Sequence, residues 1–196
     1  MKRQVINTLL ILALGIFLGL FSKYLDNSSS LPWLAQKLDL ANFLIRLTVW
    51  LIIAMCISVF SSTPKRAAVN VSAFFAGMVS AYYMYSEFIA GFFPMHYAMI
   101  WAALTAVSPF LAYICWYAKG TGRTAAIISS LIVGTAGWTT VHIGMGYISV
   151  TSILDVIMLV ISIAVLWRNA VKQSLVMLGL GVLTLMVLQF VMPFGF

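Results

Sequence analysis

Acidic residues are scarce in this sequence, and charge of either sign is low. The chain of 196 residues contains 11 lysines and arginines but only four aspartates and glutamates, so charged residues make up 8% of it. A soluble domain carries roughly 25% charged residues, because its surface faces water. So few charged side chains cannot cover a globule of this length. The low charge therefore excludes an ordinary soluble domain and indicates a surface that faces lipid.

The residues that metal sites and common catalytic sites need are also rare. The two cysteines, Cys56 and Cys115, fall inside apolar runs, where we expect them to act as small hydrophobic residues. The sequence has no His-Glu-x-x-His motif, no Gly-x-Ser-x-Gly motif and no glycine-rich phosphate loop. We therefore predict no catalytic residue, no metal site and no cofactor, and we do not expect an enzyme. Basic residues lie between apolar runs rather than in one patch, which argues against a nucleic-acid partner.

Hydrophobic residues make up most of the chain. Their share is 63%, and the mean hydropathy is +1.08. Inside a bilayer every backbone N–H and C=O needs an internal partner, so only α-helices and closed barrels can span it. The apolar runs are continuous rather than alternating, which favours helices. The sequence therefore predicts an all-α transmembrane bundle whose main partner is the lipid bilayer.

Seven apolar segments approach the length that crosses a bilayer. A hydrocarbon core of about 30 Å needs roughly 20 helical residues. The Gly-Met-Gly turn at 144–146 carries no charge and is the least certain break between segments. If the segments on either side of it are re-entrant halves, the number of spans falls to six or five. We predict a single transmembrane domain over 1–196, in which no internal repeat is recognisable. The segments cover 5–25, 43–60, 67–85, 95–118, 124–143, 148–167 and 174–192.

A short interfacial helix is predicted between the first two segments, over residues 31–40. Leu31, Leu34, Ala35 and Leu38 recur there at helical spacing and form one apolar face. A helix of this kind lies on the membrane surface with its apolar face in the boundary region.

Basic residues alternate between loops in a way that predicts orientation. Cytoplasmic loops of membrane proteins carry an excess of lysine and arginine. With the N-terminus in the cytoplasm, the cytoplasmic side carries eight basic residues: Lys2, Arg3, Lys65, Arg66, Lys119, Arg123, Arg168 and Lys172. The opposite side carries the other three and all four acids: Lys23, Lys37, Arg46, Asp26, Asp39, Glu87 and Asp155. We therefore predict a cell-membrane protein with a cytoplasmic N-terminus and, after seven spans, an external C-terminus.

Asp155 lies in an apolar segment, where burial of a carboxylate costs free energy. An ionised aspartate near the bilayer centre costs on the order of 3 kcal/mol, so it should face the bundle interior and have a partner. Arg46 and His142 are the candidates. The contact could be a structural pair between helices, or part of a ligand or proton site. Arg46 could instead extend to the outer surface.

Several aromatic residues are predicted in the same outer half of the bundle. An interfacial belt is one explanation, and an aromatic-lined cavity that opens outward is the other. Glu87 could be a solvated rim residue or part of that cavity. We predict a ligand-binding site made of Asp155, His142, Arg46, Glu87, Tyr83 and Trp101.

Small residues at four-residue spacing predict close helix packing. Gly15 and Gly19 have this spacing in the first segment, and Ala73 and Gly77 have it in the third. Such faces let two backbones approach closely within a membrane. Packing inside the bundle explains them, and contact with another membrane subunit is the alternative.

Two stretches carry a resemblance to known proteins. The run LGIFLGLFSKYLD at 14–26 is one, and WAA at 101–103 with the Ser-Pro step at 108–109 and Trp116 is the other. With the Tyr-Tyr pair at 82–83, they resemble a bacterial family of small, uncharacterised multi-pass membrane proteins. That resemblance implies a helical bundle and no particular activity. In size and in its small-residue first helix, the chain is also similar to substrate-binding components of energy-coupling vitamin transporters.

Two functional hypotheses follow from these features. The first is a transport-related membrane protein with an outward-facing pocket for a small molecule. The second is a non-catalytic scaffold or accessory subunit of a membrane complex, which would use an exposed face around Gly15 and Gly19.

Overall fold

The computed structural model describes residues 2–28, 33–144 and 147–192. These residues form nine α-helices, one 3₁₀ helix and one two-stranded hairpin. The first half comprises α1 (Lys2–Asn27), α2 (Trp33–Lys37), α3 (Leu40–Ile45), α4 (Leu47–Phe60) and α5 (Pro64–Phe88). The rest comprises α6 (Met95–Cys115), the 3₁₀ helix (Trp116–Lys119), α7 (Arg123–Thr140), β1 (Val141–Gly144), β2 (Tyr147–Val150), α8 (Ile153–Leu166) and α9 (Val171–Val191).

The helical fold class is confirmed, and each of the seven apolar segments contains a helix. Four helical stretches are long and apolar enough to cross a membrane: Gln4–Asn27, Pro64–Phe88, Met95–Lys119 and Val171–Val191. Two further apolar helices, Leu47–Phe60 and Ile153–Leu166, are shorter. The chain is therefore built from membrane-compatible helices of unequal length.

The hairpin replaces helix that was predicted on both sides of the Gly-Met-Gly turn. The strands pair antiparallel, with Val141 opposite Val150 and Ile143 opposite Ile148. β-branched residues favour strands because they pack well on a pleated surface. The helical prediction was therefore wrong for 141–143 and 148–150. Residues 145 and 146 of the turn lie outside the described part.

The second apolar segment is interrupted at Arg46. Its backbone is extended there (φ −72°, ψ 139°), and its N–H donates to the Phe43 carbonyl at 3.2 Å. One helix therefore ends at Ile45 and another begins at Leu47, whereas the sequence predicted a continuous helix over 43–60.

The predicted interfacial segment is partly described. It contains the five-residue α2 and a turn at Asp39, whose φ is 52°. The Asn42 side-chain amide donates to the Asp39 carboxylate at 2.8 Å, which supports this turn. Residues 31 and 32 lie outside the described part, and α2 is described from Trp33.

Helix α6 contains a proline, and the serine before it supplies the hydrogen bond that the proline cannot donate. Pro109 has no N–H, so the carbonyl of Thr105, four residues earlier, loses its usual partner. The Ser108 hydroxyl donates to that carbonyl at 2.8 Å. The helix therefore continues through Pro109 without an unpaired carbonyl there.

Helices α1 and α5 run parallel and touch through their backbones. A methyl group on Gly15 would lie 2.2 Å from the Phe74 carbonyl oxygen, and one on Gly19 would lie 2.3 Å from that of Met78. Gly77 faces α1 in the same way, 2.7 Å from the Leu12 carbonyl oxygen. The predicted small-residue packing is therefore found within the chain, where α5 covers the α1 face that the scaffold hypothesis needs exposed. Ala73 is half-buried on α5.

Helices α7 and α9 form a second parallel pair of the same kind. A methyl group on Gly134 would lie 2.7 Å from the Gly181 carbonyl oxygen. One on Gly137 would lie 2.9 Å from the side chain of Leu185. Both pairs thus depend on glycine for their close approach.

The two pairs belong to a repeated plan that was not recognised in the sequence. In the first triplet (α1, α4, α5) and the second triplet (α7, α8, α9), a 14-residue middle helix connects two longer parallel helices. Helix α6 links the triplets. Helix α4 contributes Ile52 and Met55 to a core that also contains Val133 of α7 and Leu166 of α8. The middle helix of the first triplet therefore packs against the second.

Candidate functional site

An ion pair joins the middle helices of the two triplets. Arg46 lies immediately before α4, and its Nη1 donates to Asp155 Oδ2 in the first turn of α8. The other ion pair in the described ranges, Lys23 with Asp26 at 2.6 Å, lies within α1. Among the described residues, Arg46–Asp155 is therefore the ion pair that connects the two triplets.

Asp155 is held in place from its own helix. Ser152 caps α8, because its hydroxyl oxygen accepts the Asp155 N–H at 3.2 Å. The same hydroxyl lies 2.7 Å from the Asp155 carboxylate, to which it donates. The side chain of Asp155 is 2% exposed and that of Arg46 is 27% exposed. The carboxylate is thus fixed and buried, whereas the guanidinium is partly accessible.

The end of α7 and the hairpin complete this polar cluster. Thr140 Oγ1 lies 3.4 Å from the Asp155 carbonyl oxygen. Thr151 Oγ1 donates to the Thr139 carbonyl at 2.9 Å and lies 3.1 Å from His142 Nε2. We call Arg46, Thr140, His142, Thr151, Ser152 and Asp155 the outer junction, after the side on which the sequence predicts Arg46 and Asp155.

The outer junction differs in two respects from the site that the sequence predicted. Asp155 was expected two turns inside its helix, but α8 begins at Ile153, so it lies in the first turn. His142 was expected at the end of a helix, but it lies in β1 and contacts Thr151 rather than Asp155. Of the two candidate partners for Asp155, Arg46 is the one that forms the contact.

The remaining predicted site residues are not part of the outer junction. Glu87 is exposed at the end of α5. Tyr83 is buried against aromatic rings, with centroids 5.2 Å from Tyr82 and 5.6 Å from Phe93. Trp101 is partly buried against the apolar core around α4 and α5. The structure therefore brings Arg46, His142 and Asp155 to one cluster and leaves these three outside it.

Two clefts lie away from the outer junction. One, of about 360 Å³, is lined by α1, α4, α5 and the 61–62 linker. The other, of about 410 Å³, is an apolar groove along α1 and the end of α5, lined by Phe17, Phe21 and Tyr85 among others. Neither is lined by Arg46, His142 or Asp155. The outward pocket predicted around Asp155 has no counterpart in these two clefts, and ligand binding there stays a prediction.

The depth of the outer junction follows from the length of the middle helices. Fourteen residues at 1.5 Å each give about 21 Å, whereas the hydrocarbon core is about 30 Å thick. The opposite ends of α4 and α8 lie near the basic residues, since Lys119 Nζ is 4.8 Å from the Phe60 ring and Arg168 follows α8. In a bilayer whose one boundary coincided with those ends, the outer junction would be about 9 Å inside the other boundary.

Arg168 forms a second polar centre, at the opposite end of the bundle. Its guanidinium donates to the carbonyls of Ala118, Gly120 and Ala125 at 2.6, 3.0 and 2.8 Å, and to Ser129 Oγ at 2.8 Å. We call these five residues the inner junction, after the side on which the sequence predicts Arg168. In the sequence, Arg168 is only an orientation signal. Carbonyl acceptors have no sequence signature, so only the polar Ser129 inside an apolar run pointed to a buried partner.

Burial of Arg168 is nearly complete, at 7% exposure. Burial lowers the pKa of its guanidinium from the ordinary value, although arginine stays protonated in proteins. In the described part of the chain, no carboxylate lies within ion-pair distance of it. Backbone dipoles therefore stabilise this charge instead of a counter-ion.

The described residues contain no group of three or more His, Cys, Asp and Glu residues that could hold a metal ion. No family model, curated protein or solved structure matches the chain. The two resemblances suggested by the sequence therefore stay predictions, and the functional argument depends on the geometry of the two junctions.

Proposed function

We propose that the chain is a membrane transport protein that binds a small polar solute at the outer junction when this junction opens. The observation that carries the proposal is the Arg46–Asp155 ion pair between the middle helices of two similar triplets. A solute with an anionic group can replace Asp155 as the partner of Arg46. A donor group on the same solute can pair with the released carboxylate.

The repeated architecture supports this proposal. Several secondary transporters consist of two parallel repeats, and their substrate sites lie at the repeat interface near the middle of the membrane. In this chain the triplets meet through α4 and α8, and the outer junction lies at the start of both helices. The site is thus located where a rocking movement of one triplet against the other would open it.

The interrupted segments support the same conclusion. Transporter sites are commonly formed by discontinuous helices, because free helix ends and irregular backbone supply polar groups within the membrane. Here one apolar segment breaks at Arg46, and the hairpin breaks the path from α7 to α8. Both breaks lie next to the ion pair.

The proposal includes seven crossings, residence in the cell membrane and a cytoplasmic N-terminus. Basic residues follow α6 and α8 and lie at the starts of α5, α7 and α9, which supports one basic end. An excess of lysine and arginine faces the cytoplasm in membrane proteins. The outer junction would then open to the outside, and the chain would act without a catalytic residue.

Thiol accessibility tests whether the outer junction opens. The full chain carries Cys56→Ser and Cys115→Ser to remove its own thiols, and Ser152→Cys to place one beside Asp155. A membrane-impermeant maleimide added from the outside should label this thiol slowly. Arg46→Gln should accelerate labelling about tenfold, which corresponds to ~1.4 kcal/mol of lost closure energy. A panel of amino acids and small carboxylates is then added. At least one solute should change the labelling rate when Arg46 is present. The same solute should have no effect on that rate in the Arg46→Gln variant.

A matched control uses Ser162→Cys, because Ser162 is fully buried further along α8. Its thiol should stay unlabelled with and without Arg46→Gln. If the thiol from Ser152→Cys also stays unlabelled in both folded backgrounds, the outer junction is a static contact and the transport proposal fails.

A further inference from the structure

A cleft at the basic end of the bundle lies outside both junctions. It has a volume of about 360 Å³, which is within the range of small-ligand sites. Its walls are the first three turns of α1, the last turn of α4 and the start of α5. The lining combines polar residues, which we call the polar side (Gln4, Asn7, Ser61, Ser62, Arg66 and Asn70), with apolar residues, which we call the apolar side (Leu10, Ile11, Ile57 and Phe60).

The polar side is organised by hydrogen bonds between helices. Arg66 Nη2 donates to Gln4 Oε1 at 2.6 Å. Thr8 Oγ1 donates to Asn70 Oδ1 at 2.7 Å, and Asn70 Nδ2 donates to Ser61 Oγ at 3.0 Å. The contact with Gln4 holds Arg66 while using one of the five N–H groups of its guanidinium. The others remain available to a ligand.

The charge of this region favours an anion. Lys65 adjoins Arg66 in the sequence, and Lys119 Nζ lies 4.8 Å from the ring of Phe60, which lines the cleft. The acidic residues that the structure places in ion pairs, Asp26 and Asp155, belong to the other end. Arg66 therefore has no carboxylate partner within the described ranges. A guanidinium recognises phosphate through paired hydrogen bonds, which makes phosphate the best-matched anion.

The apolar side indicates that the phosphate belongs to a lipid. Leu10 and Phe60 are 63% and 67% exposed, so they face the bilayer as well as the cleft. A soluble phosphate would leave these walls without a partner. An acyl chain would cover them while the headgroup reached Arg66.

We propose that this cleft binds the phosphate headgroup of an anionic phospholipid from the leaflet at the basic end. Arg66 contacts the phosphate, and Asn7 and Ser62 offer hydrogen bonds to the glycerol part. Leu10 and Phe60 pack against the upper acyl chain. Basic pockets between transmembrane helices are a known type of lipid-headgroup site. This site is separate from the outer junction and does not depend on transport.

The test measures lipid affinity of the purified full chain by native mass spectrometry with phosphatidylglycerol and phosphatidylcholine. The unsubstituted chain should retain one phosphatidylglycerol in preference to phosphatidylcholine. Arg66→Gln should weaken phosphatidylglycerol about tenfold, because it removes a charge-assisted bond. Arg123→Gln is the matched control, since Arg123 is exposed at the same end but outside the cleft. It should leave the affinity unchanged.

A second variant keeps the test valid if Arg66→Gln does not fold. Gln4→Glu retains an acceptor for Arg66 but adds a negative charge beside the phosphate, and Gln4 is exposed, so the fold should tolerate the change. It should also abolish the lipid preference. Equal losses in Arg123→Gln and Arg66→Gln, or no preference for phosphatidylglycerol, would overturn the proposal.

Inorganic phosphate and glycerol 3-phosphate test whether the phosphate in the cleft comes from a soluble molecule or from a lipid. At millimolar concentration in phosphatidylcholine nanodiscs, neither should raise the thermal stability of the chain, whereas phosphatidylglycerol should. If either soluble phosphate stabilises the chain and Arg66→Gln abolishes this effect, the ligand is a soluble phosphate and the lipid proposal is refuted.

Discussion

The outer and inner junctions each contain an arginine, but they hold it in different ways. Arg46 pairs with one carboxylate, on a side chain of another helix. Arg168 pairs with three backbone carbonyls and a hydroxyl. The first arrangement connects two side chains, and the second connects one side chain to the backbone of the link between α6 and α7 and of the first turn of α7.

This difference has a mechanical consequence. Side chains can exchange partners when a solute offers equivalent charges, so the proposed opening of the outer junction would not require a helix to unfold. Release of Arg168 would leave several buried carbonyls unpaired, at about 1–3 kcal/mol for each group. We therefore expect the inner junction to stay closed and to act as the pivot of any movement between the triplets.

Arg168→Met should have the largest effect on stability. The substitution keeps apolar volume but removes all four hydrogen bonds, so we expect a loss of about 4 kcal/mol in the free energy of unfolding in bicelles. Arg168→Lys should recover part of this loss, because one ammonium cannot reach every acceptor. Lys172→Met serves as the control, since Lys172 is exposed at the same end. Equal losses in the two methionine variants would contradict the assigned role of Arg168.

Asp155→Asn should have a smaller effect. It leaves the partly exposed Arg46 without its counter-ion, and we expect a loss of about 2 kcal/mol. Replacing both partners with leucine should cost less than the sum of the two single replacements, because no unpaired charge stays behind. A double-mutant cycle with additive losses would show that the pair contributes no coupling energy to the outer junction.

Gly15→Ala tests whether each triplet is rigid, as a pivot mechanism requires. The added methyl would lie 2.2 Å from the Phe74 carbonyl oxygen, so α1 and α5 must separate, at about 1–2 kcal/mol. Gly179→Ala is the matched control, because no heavy atom of another described helix or strand lies within 4 Å of its added methyl. Alanine should stabilise that helix slightly. Thermal unfolding of both variants measures the difference, and equal midpoints would refute the close approach.

Glu87→Gln should have the smallest effect. Glu87 is exposed and forms no ion pair in the described ranges, so the change in stability should be about 0.5 kcal/mol or less. It should also leave thiol labelling at Ser152→Cys unchanged. A labelling change comparable to that of Arg46→Gln would return Glu87 to the site.

The helical segments could be predicted because lipid imposes one requirement on every span. Continuous apolar runs must satisfy their backbone internally, so length and hydropathy locate them well. The contact of Asp155 with Arg46 could also be predicted, since a buried carboxylate needs a cation and few were present. The small residues Gly15 and Gly19 correctly indicated close packing, although only the structure shows that α5 is the neighbour.

The hairpin, the role of Arg168 and the repeated plan could not be predicted from the sequence. Strand-favouring residues at 141–150 have the same hydropathy as helix-forming ones in a membrane, so the hairpin was hidden. Arg168 binds carbonyls, which every residue has. The repeated plan was missed because its equivalent contacts use glycines at different places, Gly15 and Gly19 in one triplet and Gly134 and Gly137 in the other. Geometry repeats here without similar sequence.

The separation of Arg46 and Asp155 along the chain has a consequence for biosynthesis. The two residues are 109 positions apart, and ribosomes add about 5–20 residues per second. Arg46 therefore enters the membrane roughly 5–20 seconds before its carboxylate exists. During that interval α4 has an unpaired cation at its end and too few residues to cross the core alone. Its final position should depend on the later insertion of α8, so truncation before Asp155 should leave α4 unstable in the membrane and open to degradation.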